Sequence, residues 1–256
     1  MSGYYFLATS LPDLELNSKP TVAFNELMVL FKENLSTRDW KQVELLRLYY
    51  DLINIERLLR NENFDPRANL DVNELRDVIL NHEYFPEYVI EFFETFTETP
   101  VQLEHFPKMV RDYFFVESKR SSTVGKIIGF DRGLRLILTA LRTFKMKADL
   151  AHELRYEDGL ESDIAKLLAV KDMAALDMNG YRDLIEKLQD LKSPVEEMQA
   201  LAAFRFAFYS ELQYESPFGM PYLLGFMMKL MILEDFEMQN QTAGEHVLNS
   251  ILKDSA

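Results

Sequence analysis

Cysteine is absent from the 256 residues. No disulfide framework and no thiolate metal site can form, and hydrolases with a cysteine nucleophile are excluded. The absence fits a reducing cytoplasm, the compartment expected for this chain. Basic residues are also in deficit, with 28 Lys and Arg against 42 Asp and Glu, a net charge of −14 and a pI near 4.8. Phosphate contacts need clustered cations, so neither nucleic acid nor anionic lipid is expected as a partner. The acidic excess serves solubility, or steers the chain toward a basic protein surface. Long apolar runs are missing too. Pro217 to Leu233 is the longest, and it is interrupted by Lys229 and punctuated by Gly219, Pro221 and Gly225. It is short and broken for a membrane span of about 20 residues. Met1 to Leu11 lacks the basic start and small-residue cleavage site of a secretory signal, and is expected to belong to the fold.

What is present is a large apolar inventory: 48% hydrophobic residues, with 19 Phe and 12 Tyr. That is enough for one large helical core or two modest ones, and it is not the composition of a disordered chain.

The opening Tyr4-Tyr5-Phe6-Leu7-Ala8 suits a short strand or a first helical turn equally. After a loop holding Pro12, Asn17, Ser18 and Pro20, helical spacing begins at Phe24, Leu27, Met28, Leu30 and Phe31 and ends near Asn34. Thr37 is the expected cap of a long central helix from Trp40 to Asn61, and Asp71 with Glu74 forms a capping box for the next. Helices are expected over Glu87 to Thr97 and Pro107 to Glu117. A segment from Ser121 to Phe144 carries Gly125, Gly129 and Gly133 four apart, where another backbone can come close. The charged stretch Lys145 to Glu161, broken at Asp158-Gly159, suggests two helical halves, 1–157 and 158–256, with one continuous domain as the alternative. Beyond it, Leu160 to Leu176 and Asn179 to Leu191 read as a helical pair. Ser193-Pro194-Val195-Glu196 then starts a helix to about Tyr214. The next helix ends near Glu237, and Thr242 with Glu245 caps a short last one. No regular alternation of strands and helices appears, so the fold class is all-α, a multi-helix globule.

Catalytic signatures fail one by one. Gly125-Lys126 has Arg120 where a P-loop needs its first glycine and Ile127 where it needs Ser or Thr, so the glycines are assigned to helix packing. His82, His105, His152 and His246 form neither a zinc-protease nor a di-iron pattern. Asp149, His152 and Glu153 read as a solvated helix face, and His82-Glu83 as a helix end. No catalytic, cofactor or metal residue is therefore named. Met220, Met227, Met228, Met231 and Met238 concentrate in one segment, read as a gap-filling core helix in preference to a partner-binding groove.

Leu48 to Arg60 can be laid on Ile128 to Leu138, each with an aromatic residue and then Asp (Tyr50-Asp51, Phe130-Asp131) before an apolar stripe. Leu223 to Met231 is a candidate third copy without the acid. With the opening Tyr4-Tyr5-Phe6-Leu7-Ala8-Thr9-Ser10-Leu11-Pro12, these segments resemble an uncharacterised bacterial family whose genes lie among those of V-type ATP synthases in Bacteroidetes and Chlamydiae. The resemblance covers most of the chain. It implies a distant relation to the stalk-socket component of V-type ATP synthases, three related helical lobes that seat the central stalk on the membrane rotor. On that footing the chain is expected to be a non-catalytic subunit or accessory factor. Its partners would be central-stalk and rotor subunits, and it would be cytoplasmic or peripheral on the inner membrane. A free-standing helical adaptor, or an enzyme with an unrecognised site, are the other expectations. This chain is short for a stalk-socket component, and no residue of the socket can be assigned.

Overall fold

The computed structural model describes residues 3–254 except 17, 82–83, 121, 172–174 and 192, with side chains described as far as residue 238. Among these residues the chain forms twelve α-helices and no strand. The first six are α1 (Tyr5–Ser10), α2 (Phe24–Asn34), α3 (Thr37–Arg60), α4 (Val72–Asn81), α5 (Glu87–Thr95) and α6 (Thr99–Glu117). They are followed by α7 (Thr123–Met146), α8 (Leu150–Glu153), α9 (Ser162–Ala169), α10 (Arg182–Asp190), α11 (Pro194–Glu215) and α12 (Met220–Asp254). The expected all-α, multi-helix class is what the chain adopts.

The helices sort into two compact units: unit 1 is Met1–Trp40 with Asp190–Ala256, and unit 2 is Lys41–Gln189. The division expected at 157/158 falls inside unit 2, where Arg132 pairs with Glu157 and with Glu161, both at 2.8 Å, on either side of that boundary. The charged stretch is thus a packed element of one unit. Two units, rather than three related lobes, also set apart the proposed repeats: Leu48 to Arg60 and Ile128 to Leu138 lie in unit 2, Leu223 to Met231 in unit 1.

Unit 1 is organised by apolar periodicity. Phe24, Leu27, Met28 and Phe31 recur on one face of α2 and are all buried, each contributing about 1.5–3 kcal/mol. The Glu234 carboxylate of α12 accepts the backbone N–H of Phe24 at 2.7 Å, and Lys19 pairs with Glu237 at 2.8 Å, which ties the start of α2 to α12. All eleven residues from 223 to 233 are buried, as expected of a helix apolar on every side. Met227, Met228 and Met231 are among them, so the methionine cluster fills core. Close approach of α12 to α11 depends on Gly225, where a Cβ would stand 2.8 Å from the Tyr209 carbonyl oxygen.

Unit 2 uses more polar hardware. In α7 only Gly133 of the three spaced glycines admits a neighbour. Its missing Cβ leaves room for the Tyr181 ring, whose hydroxyl donates to the Phe130 carbonyl at 2.7 Å. Gly125 abuts the carbonyl of Arg120 in its own preceding turn, and Gly129 has only Ser118 Cβ at 3.8 Å. The expected backbone approach along this row is therefore replaced by one side-chain contact. Both α3 and α7 end in a left-handed residue, Asn61 (φ 57°) and Lys147 (φ 54°). The paired bonds from Glu62 and Asn61 to Arg57 and Leu58, and from Ala148 and Lys147 to Thr143 and Phe144, complete Schellman caps.

Several expected boundaries move for physical reasons. The ambiguous N-terminus is helical, because a single turn buries Leu7 and Ala8. Ser36, not Thr37, caps α3: its carbonyl accepts from Trp40 at 2.8 Å and its hydroxyl from Asp39 at 3.2 Å. The capping box of α4 forms as expected, with Asp71 accepting from Glu74 N–H and Glu74 accepting from Asp71 N–H, both at 2.9 Å. Pro107 sits inside α6, whose start is set by Pro100. The helix at Pro194 begins where expected, but the Ser193 side chain makes no cap bond. No break occurs near Glu237; α12 runs on to Asp254. Ser121 and the pair His82-Glu83 lie outside the described residues, as do the side chains of Thr242, Glu245 and His246.

Candidate functional site

The histidines and acids weighed as site residues are scattered. His105 stacks on Phe96 (centroids 4.3 Å apart, 8° between planes), and its Nδ1 lies 2.6 Å from the Tyr156 hydroxyl. His152 is exposed, with Glu153 at 3.9 Å; Glu153 also meets Arg142, and Asp149 caps α8 by accepting from Ala151 N–H at 2.9 Å. Among the described residues no three His, Asp or Glu side chains come together as a metal site. Nor, among them, is any helix long and apolar enough to cross a membrane.

The most enclosed polar constellation is a clasp in unit 2. Asp51 on α3 is fully buried and accepts from the N–H groups of Asn69 (2.8 Å) and Leu70 (3.0 Å) and from the Asn69 side-chain amide (2.7 Å). One turn on, Asn54 exchanges two bonds with the Asp65 backbone, at 2.8 and 3.0 Å. Arg47 donates to the carbonyls of Arg67 and Ala68, and Arg67 pairs with Asp65 at 2.6 Å while covering the Tyr50 ring at 4.7 Å. Burial pushes the Asp51 carboxyl up to about 6, against the opposing pull of its hydrogen bonds and of Arg47. These groups are spent on the backbone of the α3–α4 connection, so the clasp is structural: it fixes a loop that would otherwise leave peptide groups unsatisfied. The recurring aromatic-Asp pattern marks Asp51 in the sequence, but its partners at Asn69 and Leu70 carry no such signal.

A small cavity of about 290 Å³ lies between α11 and α12, lined by Met198, Leu201, Ile232 and Phe236 together with Arg205 and Asp235. Its apolar wall continues the unit 1 core.

A different kind of feature stands at the surface of unit 1. Phe6 is 86% exposed, Tyr5 55% and Phe218 43%, and Tyr214 on the last turn of α11 is 83% exposed. Tyr5 and Phe218 touch, with ring centroids 4.9 Å apart, and Phe6 lies edge-on to Tyr5 at 5.8 Å. The segment is anchored from beneath: Tyr4 N–H donates to the Phe218 carbonyl at 2.6 Å, and the Tyr4 hydroxyl reaches Asp39 at 2.5 Å. Thus α1 buries Leu7 and Ala8 and turns its remaining aromatics outward. Glu211, Glu215 and Asp13 of the same unit also reach the surface. Aromatic side chains fixed at the surface on low-entropy stems are the groups that dominate protein interfaces, and isolated exposure of one would need no such reading. The sequence shows an apolar N-terminus but does not by itself show this patch. Its signal is three successive aromatics on a helix with room to bury only one face.

Comparison with other proteins gives the chain its kinship. It is 27% identical over 179 residues to an uncharacterized protein of Chlamydia trachomatis serovar D, covering 67% of each chain. It is 25% identical over 228 residues to one of Chlamydia muridarum, covering 86% of each, and 22% identical over 236 residues to one of Chlamydia pneumoniae, covering 80% of this chain and 81% of the other. No solved structure matches the chain. The match that spans residues 1–255 is to the family described as Protein of unknown function (DUF2764), and the chain belongs to that family.

Proposed function

We propose that this protein is a non-catalytic binding subunit or accessory factor of a V-type ATP synthase, cytoplasmic or peripheral on the inner membrane, that docks central-stalk or rotor subunits through unit 1. The observation that carries the docking role is the aromatic patch of Tyr5, Phe6 and Phe218, held outward by the Tyr4 anchor. Unit 1 carries a net charge of −8 among its own residues. An apolar patch in that field suits a partner with basic residues around an aliphatic centre. The choice of complex rests on the resemblance of the Tyr4 to Pro12, Tyr50-Asp51 and Phe130-Asp131 segments.

The test is affinity capture of the tagged full chain from its own host in mild detergent, with mass spectrometry of what accompanies it. A parallel capture uses Phe6→Ser with Phe218→Ser. Recovery of stalk and rotor subunits with the unaltered chain, and their loss with the double variant, is the expected result. Their absence while the synthase is intact in the same lysate would leave the docking role to another partner. Undiminished recovery with the double variant would move the docking surface elsewhere.

A further inference from the structure

The strong acidity of the chain conceals a local reversal. Residues 108–147 hold ten Lys or Arg and three Asp or Glu, a balance of +7 inside a chain of −14, which leaves −21 on all the other residues. The fold gathers these cations. Arg111 from α6, Lys119 from the connecting turn and Arg132 from α7 all lie over the Phe115 ring, at 5.0, 3.2 and 5.6 Å from its centroid. Arg135 covers the neighbouring Phe114 at 5.8 Å. Lys126 is exposed, Lys119 is half-buried, and Arg120 is about half exposed beside them.

We infer that this α6–α7 face is a docking surface for an acidic segment of a partner protein. Like charges do not converge on one ring without a reason. Asp112, Glu157 and Glu161 offset Arg111, Arg132 and Arg135 from beneath, and Lys119 leans on the ring itself. Carboxylates arriving from outside would meet Lys119, Arg120 and Lys126 at the rim and the part-buried Phe115 at the centre. Arginines and an aromatic at the centre with lysines at the edge make a protein-type interface. Nucleic acid and anionic membrane fit less well. Their phosphates would face the interleaved Asp112, Glu157 and Glu161, and beyond a Debye length of about 8–10 Å they would meet the −21 of the remaining chain.

The test uses the full chain and a fluorescein-labelled oligoglutamate peptide, read by anisotropy at about 50 mM and about 200 mM salt. Single-stranded DNA and phosphatidylglycerol vesicles are run alongside. The expected result is peptide binding that weakens with salt and falls about tenfold in Lys119→Glu with Lys126→Glu, while Lys19→Glu in unit 1 leaves it unchanged. Melting curves check the fold. Should the double variant fail to fold, Lys119→Ala replaces it with a smaller expected loss. Several results would overturn the inference: no peptide binding at the lower salt, equal loss in Lys19→Glu, no loss in a folded double variant, or tighter binding of DNA or vesicles than of peptide.

Discussion

Among the described residues, unit 2 buries Asp51, Asn54, Asp65, Gln102, Asp112, Glu117 and Thr143, whereas unit 1 buries a single polar side chain, Lys229. Even that lysine is lodged among apolar neighbours, its Nζ 3.0 Å from Gln213 and 4.3 Å from the Phe206 centroid. Burial lowers its pKa. Unit 1 is therefore specified by volume and close packing, and unit 2 by hydrogen-bond geometry around loops. The two should fail differently: a packed apolar unit is sensitive to added atoms, a polar-clasped unit to removed ones.

The largest effect is expected in unit 2. Asp51→Ala orphans the buried N–H groups of Asn69 and Leu70, at about 1–3 kcal/mol each, for a total of about 4 kcal/mol by urea unfolding. The same carboxyl sets a pH signature. Its folded pKa of about 6 lies above the unfolded value of 3.8. Between those values the native state binds a proton that the unfolded state has released. Its contribution is greatest below about pH 4 and declines as pH rises through 6, by about 3 kcal/mol at 1.36 kcal/mol per pKa unit. Glu44, Arg47 and Tyr84 share its surroundings, so a slope that survives Asp51→Ala would assign the titration to another group and blur the contrast between the units.

Unit 1 gives the converse. Gly225→Leu puts a side chain against the Tyr209 carbonyl and Gln213, each 2.8 Å from the new Cβ, at a cost of about 3 kcal/mol from overpacking. Gly129→Ala in unit 2 meets only Ser118 Cβ at 3.8 Å and should instead gain up to about 1 kcal/mol from helix propensity. A Tm that falls with Gly129→Ala would restore the close contact that glycine spacing suggested and the fold does not show.

Those two glycines show where sequence was readable. Periodicity carried the helical class, the buried face of α2 and the methionine core, because each is a property of residues close in the chain. Glycine spacing alone could not say which of 125, 129, 133 and 225 meets a neighbour, since the neighbour is Tyr181 or Tyr209, far along the chain or on another helix. The 157/158 boundary failed likewise: a charged run looks like a linker until Arg132 is seen to hold it. The aromatic patch and the α6–α7 cations were present as composition, one in Tyr4-Tyr5-Phe6 and the other in the charge balance of 108–147. Total charge hid the second, and only packing separates the outward rings of the first from the core.

Smallest in stability is Lys147→Gly, which bears on how much the cap of α7 contributes to unit 2. Lys147 adopts φ 54°, where an L side chain crowds its own carbonyl, a strain of about 1–2 kcal/mol that glycine lacks. Glycine gives back part of this through the greater freedom of its unfolded chain, so a net gain of about 0.5–1 kcal/mol is expected. The bonds from Ala148 to Thr143 and from Lys147 to Phe144 are backbone bonds and survive the change. The gain should appear as a raised Tm with no loss of oligoglutamate binding, because Lys147 lies at the opposite end of α7 from Lys119 and Lys126. A raised Tm together with weakened binding would extend the basic docking face along the whole length of α7.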